Sequence, residues 1–144
     1  MPGQVRSRAL GAFYGLALGD ALGMPTQHMS RADIAVRYGR IDTLLDAVED
    51  QPVAPGMRAG SVTDDTEQAV LVANLLISGQ GRIDPRAFAD ALRAWEAGMI
   101  ARGSLDLLGP STKRAIDELL QGKDISETGR YGTTNGAAMR VTPV

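Results

Sequence analysis

Apolar positions recur at helical spacing through most of the chain. No stretch shows the β-branched, every-second-residue alternation of a half-buried strand. The pattern predicts a helix from Val5 to Gly23, with Leu10, Phe13 and Leu16 turned to a core and glycines at 11, 15, 19 and 23 along one face. Each glycine costs a helix about 1 kcal/mol relative to alanine, so tertiary packing against the bare backbone has to offset them. A second helix spans Ser30 to Tyr38, with Ser30 as N-cap, Asp33 at N3 and Gly39 as the stop. Asp64 to Ile77 reads as a buried helix: Ala69, Val70, Ala73, Leu76 and Ile77 repeat at helical spacing, and Val72 and Leu75 widen the face. After a turn over Ser78 to Arg82, Asp84 caps a helix with Pro85 at its first position and a stripe of Phe88, Leu92, Trp95 and Met99. A further helix opens near Gly109–Pro110–Ser111–Thr112, carries Ala115, Ile116, Leu119 and Leu120, and closes at Gly122. The fold class is therefore all-α.

Two stretches break the periodicity. Arg40 to Val62 is punctuated by Pro52, Pro55, Gly56 and Gly60, and so long a connection is a candidate functional loop. Gly132 to Val144 reads as a small-residue turn and a short helical stretch stopped by Pro143. It is read either as an ordinary frayed terminus or as the edge of the first part of a longer polypeptide.

Composition narrows the chemistry. The chain has 144 residues, suited to one domain, and 15 basic against 17 acidic side chains give a net charge of −2. That balance offers no basic footprint for nucleic acid. No cysteine is present, which excludes disulfides, thiolate metal sites and a cysteine nucleophile, and a single histidine argues against a multi-histidine metal site or a Ser-His-Asp triad. Arg6 and Arg8 precede an apolar run that faintly resembles a signal peptide, but Asp20 ends it after the eleven residues Ala9 to Gly19. That is well short of the ~20 needed to span a bilayer. The expectation is a cytoplasmic domain without membrane or nucleic-acid partners, whose chemistry rests on carboxylates, hydroxyls and backbone amides.

Three segments carry such groups. In Thr63–Asp64–Asp65–Thr66–Glu67, Asp64 and Glu67 match a capping box, and acids there suit the helix dipole. The same run also offers consecutive hard oxygen ligands, suited to Mg²⁺, Mn²⁺ or Ca²⁺, and its adjacent carboxylates repel unless a cation sits among them. Both readings stay open on the residues alone. Asp20, between Gly19 and Gly23 at a helix end, either faces a ligand site or caps a helix break; His28 reads as a surface or hydrogen-bonded residue rather than a base. The turns Gly109–Pro110–Ser111–Thr112 and Gly132–Thr133–Thr134–Asn135–Gly136 precede helical stretches, where amides and hydroxyls can hold a phosphate, although such turns are also common as plain caps.

Taken together, GAFYGLALGDALGMP (11–25), SVTDDTEQAVLVA (61–73), LLGPSTKRAI (107–116) and TTNGAAMRVTP (133–143) resemble, in order and spacing, the blocks of the ADP-ribosylglycohydrolase family. The resemblance implies a compact, orthogonal all-α bundle in which residues 1–144 are the N-terminal part of a single domain lacking its C-terminal half. It implies a centre of two Mg²⁺ ions, Mn²⁺ in some members, and hydrolysis of the N- or O-glycosidic bond of an ADP-ribosyl or related ribosyl compound, small or protein-linked. By the same resemblance Thr63, Asp64 and Asp65 are metal ligands, with Asp64 and Asp65 also catalytic. Ser111, Thr112, Asn135, Gly136 and Met139 fall in substrate-binding segments, and Asp20 lies beside them, behind the ligands. Gln27 stands where many members carry a glutamate near the scissile bond, and an amide cannot accept a proton as a base. The family's remaining ligands, an Asp-x-Asp-Thr cluster, have no counterpart here. The aglycone stays open among arginine, serine, a nucleoside base and a metabolite. Apolar faces left uncovered are expected to drive self-association. The alternatives are a non-catalytic ADP-ribose- or nucleotide-binding module and a structural fragment completed by another chain.

Overall fold

The computed structural model describes residues 2–144. In chain order it contains α1 (Pro2–Gly23), a 3₁₀ turn (Met24–Thr26), α2 (Arg31–Arg37), α3 (Asp64–Ser78), α4 (Pro85–Ala101), α5 (Pro110–Leu120) and α6 (Gly136–Met139), with no strand among the described residues. Local signals set most boundaries. The Ser30 hydroxyl accepts the Asp33 N–H at 3.1 Å to open α2. Gly39 stops that helix with a φ of 65°, a left-handed conformation that glycine adopts without steric cost. Asp84 Oδ1 accepts the Ala87 N–H at 2.8 Å, with Pro85 in the first turn of α4.

The main core lies between α4 and α5. Ala89, Leu92, Leu108 and Ile116 are buried together, with Leu71, Phe88, Trp95 and Leu119 packed against them. The expected α4 stripe therefore faces inward, including buried Met99. A second cluster joins Met24 to Ala47 and Ala54, with Met57 against it. It orders the long connection over residues 40–62. There Gln51 is 2 % exposed: its amide donates to the Met24 and Gln27 carbonyls at 3.4 and 3.1 Å, and its Oε1 accepts the Val53 and Ala54 amides. This connection braces the segment that follows α1.

Two expectations about burial need correction. Leu10 is 44 % exposed, and Phe13 and Leu16 are only half-buried. Apolar residues surround α1 rather than forming one stripe, so packing against α3 leaves Tyr14 and Leu18 outward as well. On α3, Val70 and Ile77 are 43 % and 77 % exposed. The buried side of that helix is Ala69 and Val72 together with the polar Thr66 and Gln68, and burial fades toward its C-terminus. The apolar repeat marked a helix correctly but not which of its sides meets a neighbour.

Candidate active site

α3 starts with no cap from its own sequence. Thr63 occupies the N-cap position, but its side chain bonds none of the first-turn amides. The cap comes from α1. Asp20 Oδ2 accepts the Thr63 N–H at 2.8 Å, the Thr66 N–H at 3.2 Å and the Thr66 hydroxyl at 2.6 Å, while Oδ1 accepts the Thr63 hydroxyl at 2.6 Å. From the loop before α5, Asp106 Oδ2 accepts the Asp64 N–H at 2.8 Å. The expected Asp64–Glu67 capping box does not form. Because outside carboxylates already satisfy the first-turn amides, Glu67 turns away, accepting the Trp95 indole N–H at 2.6 Å and pairing with Arg102 at 3.3 Å.

Bracing the helix start from behind leaves the Asp64 and Asp65 side chains facing a cleft of about 550 Å³. Gln27, Thr112, Asn135, Gly136 and Met139 line the same cleft, so most residues nominated from the sequence meet in one place. Asp20 and Thr63 lie behind the wall, with Thr63 1 % exposed. Ser111 lines a separate, apolar cavity of about 570 Å³ beside α5, and its hydroxyl accepts the Thr133 N–H at 3.2 Å. The two turns are in close contact: a Cβ at Gly136 would sit 3.0 Å from Thr112 Oγ1 and 3.1 Å from Arg140 Nη2. A side chain at Gly136 would therefore press on both groups, which would have to give by a few tenths of an ångström. His28 also lines the cleft, with a φ of 58°.

The cleft holds an excess of negative charge. Burial, then Asp106 and Asp65 nearby, push the Asp64 carboxyl up to about 7. Burial also raises Asp106 to about 6, against the opposing effect of the hydrogen bond from the Asp64 amide. Asp65 is raised by burial and by Asp20. Arg140 pulls both Asp64 and Asp65 downward. Asp106 and Arg140 belong to the site but were not singled out by pattern. The available signal for Asp106 was a lone acid inside Leu105–Leu108, directly before the Gly109–Pro110 turn; for Arg140 it was a lone cation at the end of a small-residue segment.

The chemistry of this donor set suits a divalent cation. Asp64 and Asp65 offer hard, mutually repelling oxygens. The Thr63 hydroxyl, behind these carboxylates, donates to Asp20 and accepts from Gln27 Nε2 at 3.2 Å. No three histidine or acidic side chains among the described residues converge to hold an ion.

The ADP-ribosylglycohydrolase family model matches residues 1–144. The chain is 37 % identical over 137 residues to the uncharacterized protein YegU of Escherichia coli K12, covering 95 % of this chain and 41 % of that protein. It is 30 % identical over 143 residues to the ADP-ribosyl-[dinitrogen reductase] glycohydrolase of Rhodospirillum rubrum, covering 96 % and 44 % of the two. A solved structure described as an ADP-ribosylglycohydrolase-related protein complex superposes with a TM-score of 0.67 at 28 % identity, over 94 % of this chain and 41 % of that one. The chain thus spans about two-fifths of the length of the relatives it matches.

Proposed function

The chain belongs to the ADP-ribosylglycohydrolase family, and from that premise we propose that its cleft is one side of an active site hydrolysing the glycosidic bond of an ADP-ribosyl compound. The observation that carries this reading is the convergence of the α3 carboxylates with the Thr112 and Asn135–Gly136 turns on one cleft. Thr63, Asp64 and Asp65 would hold Mg²⁺, or Mn²⁺, as part of a two-ion centre. When bound, the metal supplies an activated water and orients the ribose hydroxyls. The turns hold the diphosphate or ribose through hydroxyls and amides, with Met139 as an apolar wall. In the reaction the bond from the anomeric carbon to the aglycone breaks, a bond to water oxygen forms, and the water's proton leaves with the aglycone. Positive charge develops on the ribose in the transition state, and the carboxylates around the cleft stabilise it. Asp20 and Asp106 position α3 and thereby aim Asp64 and Asp65.

Two Asp residues cannot neutralise two dications, so these 144 residues are expected to bind Mg²⁺ weakly and to hydrolyse an ADP-ribosyl substrate poorly or not at all. The test is a single-turnover assay with protein in excess over an ADP-ribosylated substrate at saturating Mg²⁺. Release of ADP-ribose that disappears in Asp64→Asn and Asp65→Asn supports hydrolysis; release that persists undiminished in both variants overturns the assignment of these carboxylates. A second reading, a binding module without catalysis, is favoured by Gln27, whose amide donates to Thr63 where a base would be needed. It predicts ADP-ribose binding with no release, and no gain of turnover in Gln27→Glu.

A further inference from the structure

One part of the cleft lining belongs neither to the α3 carboxylates nor to the two turns. It consists of Gln27, His28, Val53 and Leu105. A single buried residue builds most of it. Gln51, 2 % exposed, donates from Nε2 to the Gln27 carbonyl at 3.1 Å, and its Oε1 accepts the Val53 N–H. The Gln27 side chain is fixed as well. The Thr63 hydroxyl donates its one hydrogen to Asp20 Oδ1 at 2.6 Å, so only a donor can face its oxygen, and Gln27 Nε2 does so at 3.2 Å. The amide therefore has one orientation, with Oε1 and the second Nε2 hydrogen not engaged by Thr63. Beside it His28 is exposed, and Leu105 is 60 % exposed. None of these four side chains is a carboxylate. Of the acids that line the cleft, Asp64 and Asp65 face cations in the reading above, and Asp106 is 4 % exposed with its Oδ2 on the Asp64 N–H. Arg140, on the side of the turns, donates from Nη2 to Thr112, while its buried Nε has no partner.

We infer that Gln27 is a specificity-determining residue that contacts the aglycone and selects an uncharged, amide-like group, such as a urea, a carboxamide or a nucleobase edge, over a guanidinium. The inference rests on the ADP-ribosyl reading of the cleft and deepens it. In that reading the turns take the diphosphate and the α3 side takes the ribose, which leaves the Gln27 side for the aglycone. A guanidinium is held best by a carboxylate that accepts two of its N–H groups, and burying it without a countercharge is costly. An amide of fixed orientation instead offers a donor and an acceptor side by side, the pattern with which glutamine reads the edge of a base. Val53 and Leu105 add apolar surface for the face of a planar group. A glutamate at position 27 would supply the missing carboxylate and favour the cation.

The test is calorimetric titration of the chain at saturating Mg²⁺ with two short peptides, one carrying ADP-ribosylcitrulline and the other ADP-ribosylarginine. They differ by a urea in place of a guanidinium, so size and linkage are held constant. ADP-ribose is titrated alone as a third ligand. The wild-type chain is expected to bind the citrulline peptide at least about tenfold more tightly than the arginine peptide, and Gln27→Glu is expected to reduce or reverse that preference. Wild-type binding of the arginine peptide as tightly as the citrulline peptide, or more tightly, overturns the inference. So does a preference that is unchanged in a folded Gln27→Glu. The wild-type ratio decides the matter even if the glutamate variant does not fold. Binding of ADP-ribose without discrimination between the peptides leaves the active-site reading intact and removes this inference. Binding of none of the three ligands defeats the active-site reading and this inference with it.

Discussion

Replacing Asp20 with alanine tests whether the site is built from behind. Asp20 accepts four hydrogen bonds at the start of α3, two from backbone amides and two from hydroxyls. Thr63 is 1 % and Thr66 9 % exposed, so water cannot readily replace the lost acceptor. A conventional N-cap is worth about 1 kcal/mol, and a hydrogen bond to a charged group about 1.5–3 kcal/mol. Because these bonds share one carboxylate they do not add in full. The expected cost of Asp20→Ala is about 3 kcal/mol, which lowers Tm by roughly 10 °C for a chain of this size. Asp84→Ala is the internal control. It removes an exposed cap with one amide bond and is expected to cost about 1 kcal/mol. Asp20→Asn keeps an acceptor for the amides and falls between the two. The assay is urea unfolding followed by far-ultraviolet circular dichroism, with slopes compared to confirm that the unfolded state is unchanged. An Asp20→Ala variant no less stable than Asp84→Ala would refute the claim that α1 supplies the cap of α3.

Further outcomes follow from the same geometry. Asp64 and Asp106 have folded pKa values near 7 and 6, above the unfolded carboxylate value, so their contribution to stability is complete below about pH 4 and lost as pH rises through 6–7. Without added metal, Tm should therefore fall between mildly acidic and mildly alkaline buffer, and Asp64→Asn should flatten that fall; a wild-type Tm that rises over this interval contradicts the charge excess. Leu92→Ala, at a site 1 % exposed, should cost about 2–5 kcal/mol, whereas Leu10→Ala, at 44 %, should cost under about 1 kcal/mol in the same unfolding assay. Glu67→Ala leaves the half-buried Trp95 N–H without its acceptor and should cost about 1–3 kcal/mol. Since Trp95 is the sole tryptophan, its emission should shift in the folded variant.

What could be read from the sequence was what the chain decides over four or five residues. Ser30 with Asp33, Asp84 with Pro85, and the stops at Gly39 and Gly122 each act within one helical turn, so their effect does not depend on the rest of the fold. The family blocks likewise identified Asp64, Asp65, Thr112, Asn135, Gly136 and Met139, which do meet around one cleft. The capping of α3 could not be read in this way. Thr63–Glu67 contains every residue a local cap requires, yet the acceptors come from Asp20 and Asp106, each more than forty residues away. Glu67 was thereby released to Trp95. The outward side of α1, the polar inner side of α3 and the orphaned Nε of Arg140 share this origin. Spacing determines which side chains of a helix lie together, but only the placement of neighbouring helices determines which side is buried and which donor is left without a partner.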